Sequence, residues 1–140
     1  MKNEDLAKDY VKRCRARIKA IAVLYAEESW ADVVRESQEV VELALKAVLR
    51  VSSIDPPRIH DVSEVLEKNQ ASIPAVFVKN LAVVSKISRS LRRDREMAFY
   101  GSEDLTPSDF YREEDAKEAY DGAQKIVGWA VECVLDEDTT

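Results

Sequence analysis

Val33-Val34-Arg35-Glu36-Ser37-Gln38-Glu39-Val40-Val41-Glu42-Leu43-Ala44-Leu45-Lys46-Ala47-Val48-Leu49-Arg50-Val51 decides the fold. Its valines are β-branched and on their own favour a strand. The spacing points the other way. Val33, Ser37, Val40, Val41, Ala44, Ala47, Val48 and Val51 recur at intervals of three and four, the period of one helical face. The run is also far longer than a strand. Glu42 and Lys46 add a favourable i,i+4 pair of about 0.2–0.5 kcal/mol. Ser29-Trp30-Ala31-Asp32 opens this helix as a capping box in which Asp replaces the usual Glu.

Reading outward, the same period recurs on both sides. Leu6, Tyr10, Cys14, Ile18, Ile21 and Leu24 or Tyr25 define a first helix over about 4–28, with Asn3 as its cap and Glu4 and Asp5 in its first turn. Ser52-Ser53-Ile54-Asp55-Pro56-Pro57 is the clearest break, because consecutive prolines deny helix to the residues before them. Asp61 and Glu64 start a short third helix ending near Asn69. Ser72 and Pro74 fit the first turn of a fourth, which carries Val76, Phe77, Leu81, Val84, Ile87 and Leu91 and runs from about 73 into the 90s. Gly101 stops it at the latest. Thr106-Pro107-Ser108-Asp109 is a cap sequence able to form one turn. A fifth helix, from about Glu113 to Leu135, buries Ala116, Ala119, Tyr120, Ala123, Ile126, Val127, Ala130 and Val134, and its small residues permit a close helix approach. The expectation is an all-α protein: one domain over residues 1–140, an antiparallel four-helix bundle with a short additional helix.

Composition narrows the class. With 140 residues, 46% hydrophobic and 34% charged, the chain is a globular candidate, and only three Gly and four Pro leave little material for many turns. It has no apolar run of membrane-spanning length and no signal-peptide core near its start, which predicts a cytoplasmic protein without membrane attachment. Cys14 and Cys133 occupy apolar helical positions far apart and read as small core residues. One His and two isolated Cys supply no metal-ligand spacing, so no metal and no cofactor are expected. The wide stripes leave room for a dimer interface, with Trp30 and Trp129 as candidates either for it or for the monomer core.

The formal charge of -6 argues against an indiscriminate nucleic-acid binder, yet the basic residues cluster. One group is Lys8, Lys12, Arg13, Arg15, Arg17 and Lys19; the other is Lys86, Arg89, Arg92, Arg93 and Arg95. Facing each other, they form a local anion-attracting cleft; apart, they serve solubility. Acids gather at Glu27, Glu28, Asp32, Glu36, Glu39 and Glu42, and in Asp136-Glu137-Asp138. Within Arg92-Arg93-Asp94-Arg95-Glu96-Met97-Ala98-Phe99-Tyr100-Gly101, Arg93 and Tyr100 are two helical turns apart and leave the same face if the helix continues that far. A guanidinium fork and a phenol on one stripe suit a phosphate and a base or ribose.

Several segments, in order, resemble the HEPN family, named for its role in nucleotide binding in prokaryotes and higher eukaryotes. Gln38-Glu39 through Leu45-Lys46-Ala47 and Leu49 is similar to the family's second-helix pattern. His60-Asp61 followed by Val62 and Leu66 resembles its third-helix opening. Ala98-Phe99-Tyr100-Gly101, with Pro107, Tyr111 and an alanine-rich last helix, resembles a microbial subgroup. The resemblance implies a dimeric helical bundle. Many members are metal-independent ribonucleases using Arg, four to six residues, then His, joined across a homodimer; one toxin branch extends this to Arg-x-x-x-x-His-x-Tyr.

On this chain Arg93 takes the Arg position, Asp94 the polar place beside it and Tyr100 the Tyr position, while Ala98 stands where the His belongs. A methyl group cannot move a proton, and general acid–base catalysis contributes about 10²–10⁴-fold. The resemblance therefore implies a homodimer that binds nucleotide or RNA through Arg89, Arg93, Asp94, Arg95 and Tyr100 and has little or no catalytic power. It also implies a toxin–antitoxin setting with a nucleotidyltransferase partner, which in the toxin branch modifies the Tyr. Two other readings are a ribonuclease using Arg93 and Tyr100, with Tyr100 or the sole histidine, His60, moving the proton, and a structural partner whose acidic second helix meets a basic surface.

Overall fold

The computed structural model describes the backbone of residues 2–58, 61–100 and 106–135, and the side chains of 3–58, 61–91 and 106–135. Seven helices lie within them: α1 (Lys2–Ala26), α2 (Trp30–Val51), α3 (Val62–Lys68), α4 (Ala75–Lys79), α5 (Leu81–Tyr100), α6 (Pro107–Phe110) and α7 (Glu113–Leu135). The four long ones are those the apolar period defines. The valine-rich run is helical throughout, as its spacing predicts.

Helix α2 is the centre of the molecule. It packs against α1, α7 and α5, and α1 also packs against α7, whereas α1 and α5 make no contact among the described residues. With neighbours on three sides, α2 buries more than one stripe. Leu45 and Leu49 are inaccessible, as are Val33, Val40, Ala44 and Val48, and Val34 is nearly so. Ser37 is completely enclosed too, and its hydroxyl has no hydrogen-bond partner.

In α1 the buried line runs through Ala7, Val11, Cys14 and Ile21, with Leu6, Tyr10 and Ile18 at its edge. The expected stripe is thus rotated slightly toward the small residues Ala7 and Val11. Both cysteines are buried and neither is in a disulfide. Burial pushes the Cys14 thiol up from 9.0 to about 12, against the pull of Arg17 and Arg13, and Sγ sits 3.7 Å from the Val40 carbonyl oxygen. A thiol held protonated this way is a core residue, not a nucleophile.

The helix ends show where local chemistry departs from simple signals. Helices α1 and α2 both stop in Schellman turns built without glycine. Glu28 (φ 58) and Ser53 (φ 61) take the left-handed position, with Ser29 N–H donating to Leu24 O at 3.0 Å and Ile54 N–H to Leu49 O at 2.8 Å. A left-handed L-residue costs about 1–2 kcal/mol, which glycine avoids. Replacing exposed Ser53 with glycine is therefore expected to stabilise the protein by about 1 kcal/mol, read as a higher urea midpoint at unchanged slope. An unchanged or lowered midpoint would contradict the strain argument.

Ser29 also differs from the capping-box expectation. Its hydroxyl donates to Asp32 Oδ2 at 2.7 Å and makes no bond to the α2 backbone. The shorter Asp side chain turns to the serine itself instead of completing the reciprocal backbone pair. The single fourth helix expected from about 73 is divided as well. Pro74 caps α4, and Asn80 (φ -107) leaves helical geometry while its amide donates to Val76 O at 2.8 Å. A side chain that competes for a backbone acceptor can end a helix, and α5 restarts one residue later.

Helix α7 meets its neighbours through small residues, including Ala116, Ala119, Gly122, Ala123 and Ala130, all buried. A Cβ at Gly122 would lie 3.0 Å from Ile87 Cγ2 on α5, while one at Gly128 meets nothing within 4 Å. Alanine is favoured over glycine in a helix by about 0.8–1.0 kcal/mol. Gly128→Ala is accordingly expected to raise stability by most of that amount. Gly122→Ala should gain nothing or lose stability, because Ile87 must give way. Equal effects from the two substitutions, in parallel thermal melts, would show that the Ile87 contact is not tight.

Candidate nucleotide-binding surface

Helix α5 remains helical through Tyr100, so positions 93 and 100 share one helical face, the condition that the sequence argument requires. The side chains of Arg92, Arg93, Asp94, Arg95, Ala98 and Tyr100 lie outside the described residues, as do His60, Gly101 and the Asp136-Glu137-Asp138 tail.

Arg89, one turn before Arg93, has a defined setting. Its Nη2 donates to Glu67 Oε1 at 2.7 Å, and its Nε is 3.7 Å from Asp61 Oδ2. Glu67 also accepts from Ser85 Oγ at 2.8 Å. Asp61 in turn caps α3, accepting from the Ser63 backbone N–H at 3.0 Å and its hydroxyl at 2.8 Å. The sequence places these groups well apart, yet they form one strut between α3 and α5. Arg89 is half-exposed and engaged by two carboxylates, so its main local effect is to fix α5 against the start of α3.

The described parts of the two basic segments do not meet within one subunit. Lys12, Arg13, Arg15 and Lys19 are exposed on α1, and α2 and α7 separate α1 from α5. Lys86 and Arg89 therefore lie apart from the α1 cluster within a single chain. Two acids of the run on α2 have partners on the same helix: Glu36 pairs with Arg35 at 2.6 Å, and Glu42 accepts from Gln38 at 3.1 Å and stands 3.8 Å from Lys46.

The tryptophans are both half-buried and each completes an aromatic pair inside the subunit. Trp30 meets Tyr25 edge-on at 5.1 Å, and Trp129 meets Phe77 edge-on at 6.3 Å. Tyr25 also lies 6.0 Å from Tyr120.

One feature had no signal in the sequence. A cleft of about 530 Å³ opens between α5 and α7. Val34, Val83, Ile87, Leu91 and Tyr111 form its apolar lining, with lysines and carboxylates along the rim. Tyr111, expected in a connecting loop, is buried and meets Phe110 edge-on at 4.9 Å. On the rim, Lys117 donates to Asp121 at 2.7 Å, and that bond holds the ammonium above its ordinary range. Only the register between two helices remote in sequence creates the cleft, so periodicity within either one cannot reveal it.

Comparison with protein families matches residues 7–134 to the HEPN domain. The chain belongs to the HEPN family. The match spans α2, α3, α5 and α7, the elements that carry the resemblance in sequence, and it agrees with the all-helical fold. No curated protein and no solved structure matches the chain. Among the described residues no helix is long and apolar enough to cross a membrane.

Proposed function

We propose that this HEPN protein binds a nucleotide or RNA through the C-terminal half of α5 and has little or no catalytic power. It works as a homodimer beside a nucleotidyltransferase, in a toxin–antitoxin-like setting. HEPN membership supports the nucleotide- or RNA-related part of this reading. The observation that carries the rest is the order Arg93, Asp94, Arg95, Ala98, Tyr100 at the end of α5. The cation and the phenol are kept, and the proton-carrying residue is replaced by a methyl group. Arg93 supplies a planar fork for a phosphate, Arg95 adds charge and Tyr100 offers a stacking face. Arg89 contributes by anchoring α5 to α3.

Fluorescence anisotropy with labelled RNA and labelled nucleotides tests the reading. Saturable binding that weakens with salt is expected, and Arg93→Ala should lower the affinity by about 10- to 100-fold, the loss of one charge-assisted contact of about 1.5–3 kcal/mol. An Arg89→Ala variant that loses thermal stability but retains most of the binding would separate anchoring from contact. Absence of saturable binding at low salt would remove the proposal.

A further inference from the structure

We propose that the cleft between α5 and α7 is the face through which two copies of this chain pair about a two-fold axis. The inference rests on the homodimer in the reading above and names the surface that forms it.

Helices α5 and α7 run antiparallel. Phe77, just before α5, meets Trp129, whereas Ile87 further along lies against Gly122, so numbering rises on one side as it falls on the other. The cleft is therefore electrically polarised. Lys125 stands toward its Val83 end and Glu114 and Glu118 toward its Tyr111 end, with Lys86 near the level of Ile87 between them. All four are exposed, and none makes an ion pair or hydrogen bond with another described residue. Between them, Lys117 and Asp121 neutralise each other. The apolar residues beneath include Val83, which is 43% exposed.

A uniformly charged cleft would repel its own copy. This one changes sign along its length, and a two-fold axis exchanges its ends. Glu118 and Lys125 are seven residues apart, two turns, and so share one side of α7. The level midway between them is that of Asp121 and Gly122. An axis crossing there brings Glu118 of each copy opposite Lys125 of the other, twice per dimer, while the apolar residues of both clefts cover one another. A phosphate-bearing ligand fits less well, since carboxylates on the rim at least match the lysines.

The test is solution mass by light scattering on the full chain, with circular dichroism to check folding. The wild type is expected to be a dimer. Lys125→Glu and Glu118→Lys each set like charges opposite and should weaken the dimer by about tenfold or more. Mixing the two single variants then restores pairing, because each contact in the mixed dimer is again between opposite charges. A monomeric wild type overturns both this interface and the homodimer of the reading above. A wild-type dimer that neither reversal weakens, or a mixture that fails to re-form dimer, overturns the interface alone and leaves nucleotide binding to its own assay.

Discussion

Placing histidine at position 98 is expected to raise RNA cleavage by about 10²–10⁴-fold over the wild-type chain, the usual worth of a general acid–base group. The substitution completes Arg93-x-x-x-x-His-x-Tyr100 on a helix that already extends through position 100. The gain should persist with a chelator present, because the family chemistry that the motif resembles needs no metal. It should vanish when Arg93→Ala is added, since a proton-transfer group without its phosphate-holding cation lacks transition-state stabilisation. A fluorogenic RNA substrate and the three purified proteins suffice. If the histidine variant cleaves no faster than wild type, Arg93 is not positioned as the resemblance implies, and the account of Ala98 as the missing group fails.

The largest expected loss of stability comes from Phe77→Ala. Phe77 is fully buried, on a helix of only five residues. So short a helix has no stability of its own and depends on what its side chains touch. Phe77 packs edge-on against Trp129 of α7, in the cluster that fixes the start of α5. Removing a buried phenylalanine costs about 3–5 kcal/mol, a large fraction of the 5–15 kcal/mol that holds a typical domain together. Urea unfolding monitored by tryptophan fluorescence measures it. Val78→Ala on the same helix is the control: Val78 is 38% exposed, and its loss should cost far less. Similar costs at both positions would mean that α4 contributes helix propensity and no packing.

How legible this molecule is depends on the range of the interaction in question. Helix positions follow from apolar spacing, a local property, and so α2 and α7 fall where the sequence puts them. Asp61 as a cap and the turn at Thr106-Pro107 are equally local and equally readable. Two local features escape notice because they break the usual residue code: left-handed ends carried by Glu28 and Ser53 in place of glycine, and a break made by the Asn80 side chain within an unbroken apolar period. Tertiary relations are a different matter. That α1 and α5 lie on separate sides of α2 and α7, and that Arg89 reaches Glu67 and Asp61, follow from which helices become neighbours. The period of one helix carries no information about the identity of its partner. The candidate surface was readable as a list of residues on α5, while its surroundings were not.

The central position of α2 carries a hazard for any incomplete version of this protein. Its covering is assembled from α1, which a three-residue turn joins directly to it, and from α7, which arrives only after Arg112. A fragment ending before Glu113 leaves one flank of Val33, Val40, Val41 and Val48 open to water. Those β-branched residues, held as helix by their neighbours, have the composition of a cross-β segment. Such a fragment should convert slowly into thioflavin-positive fibres, whereas the 140-residue chain, with the same residues sealed inside, should not.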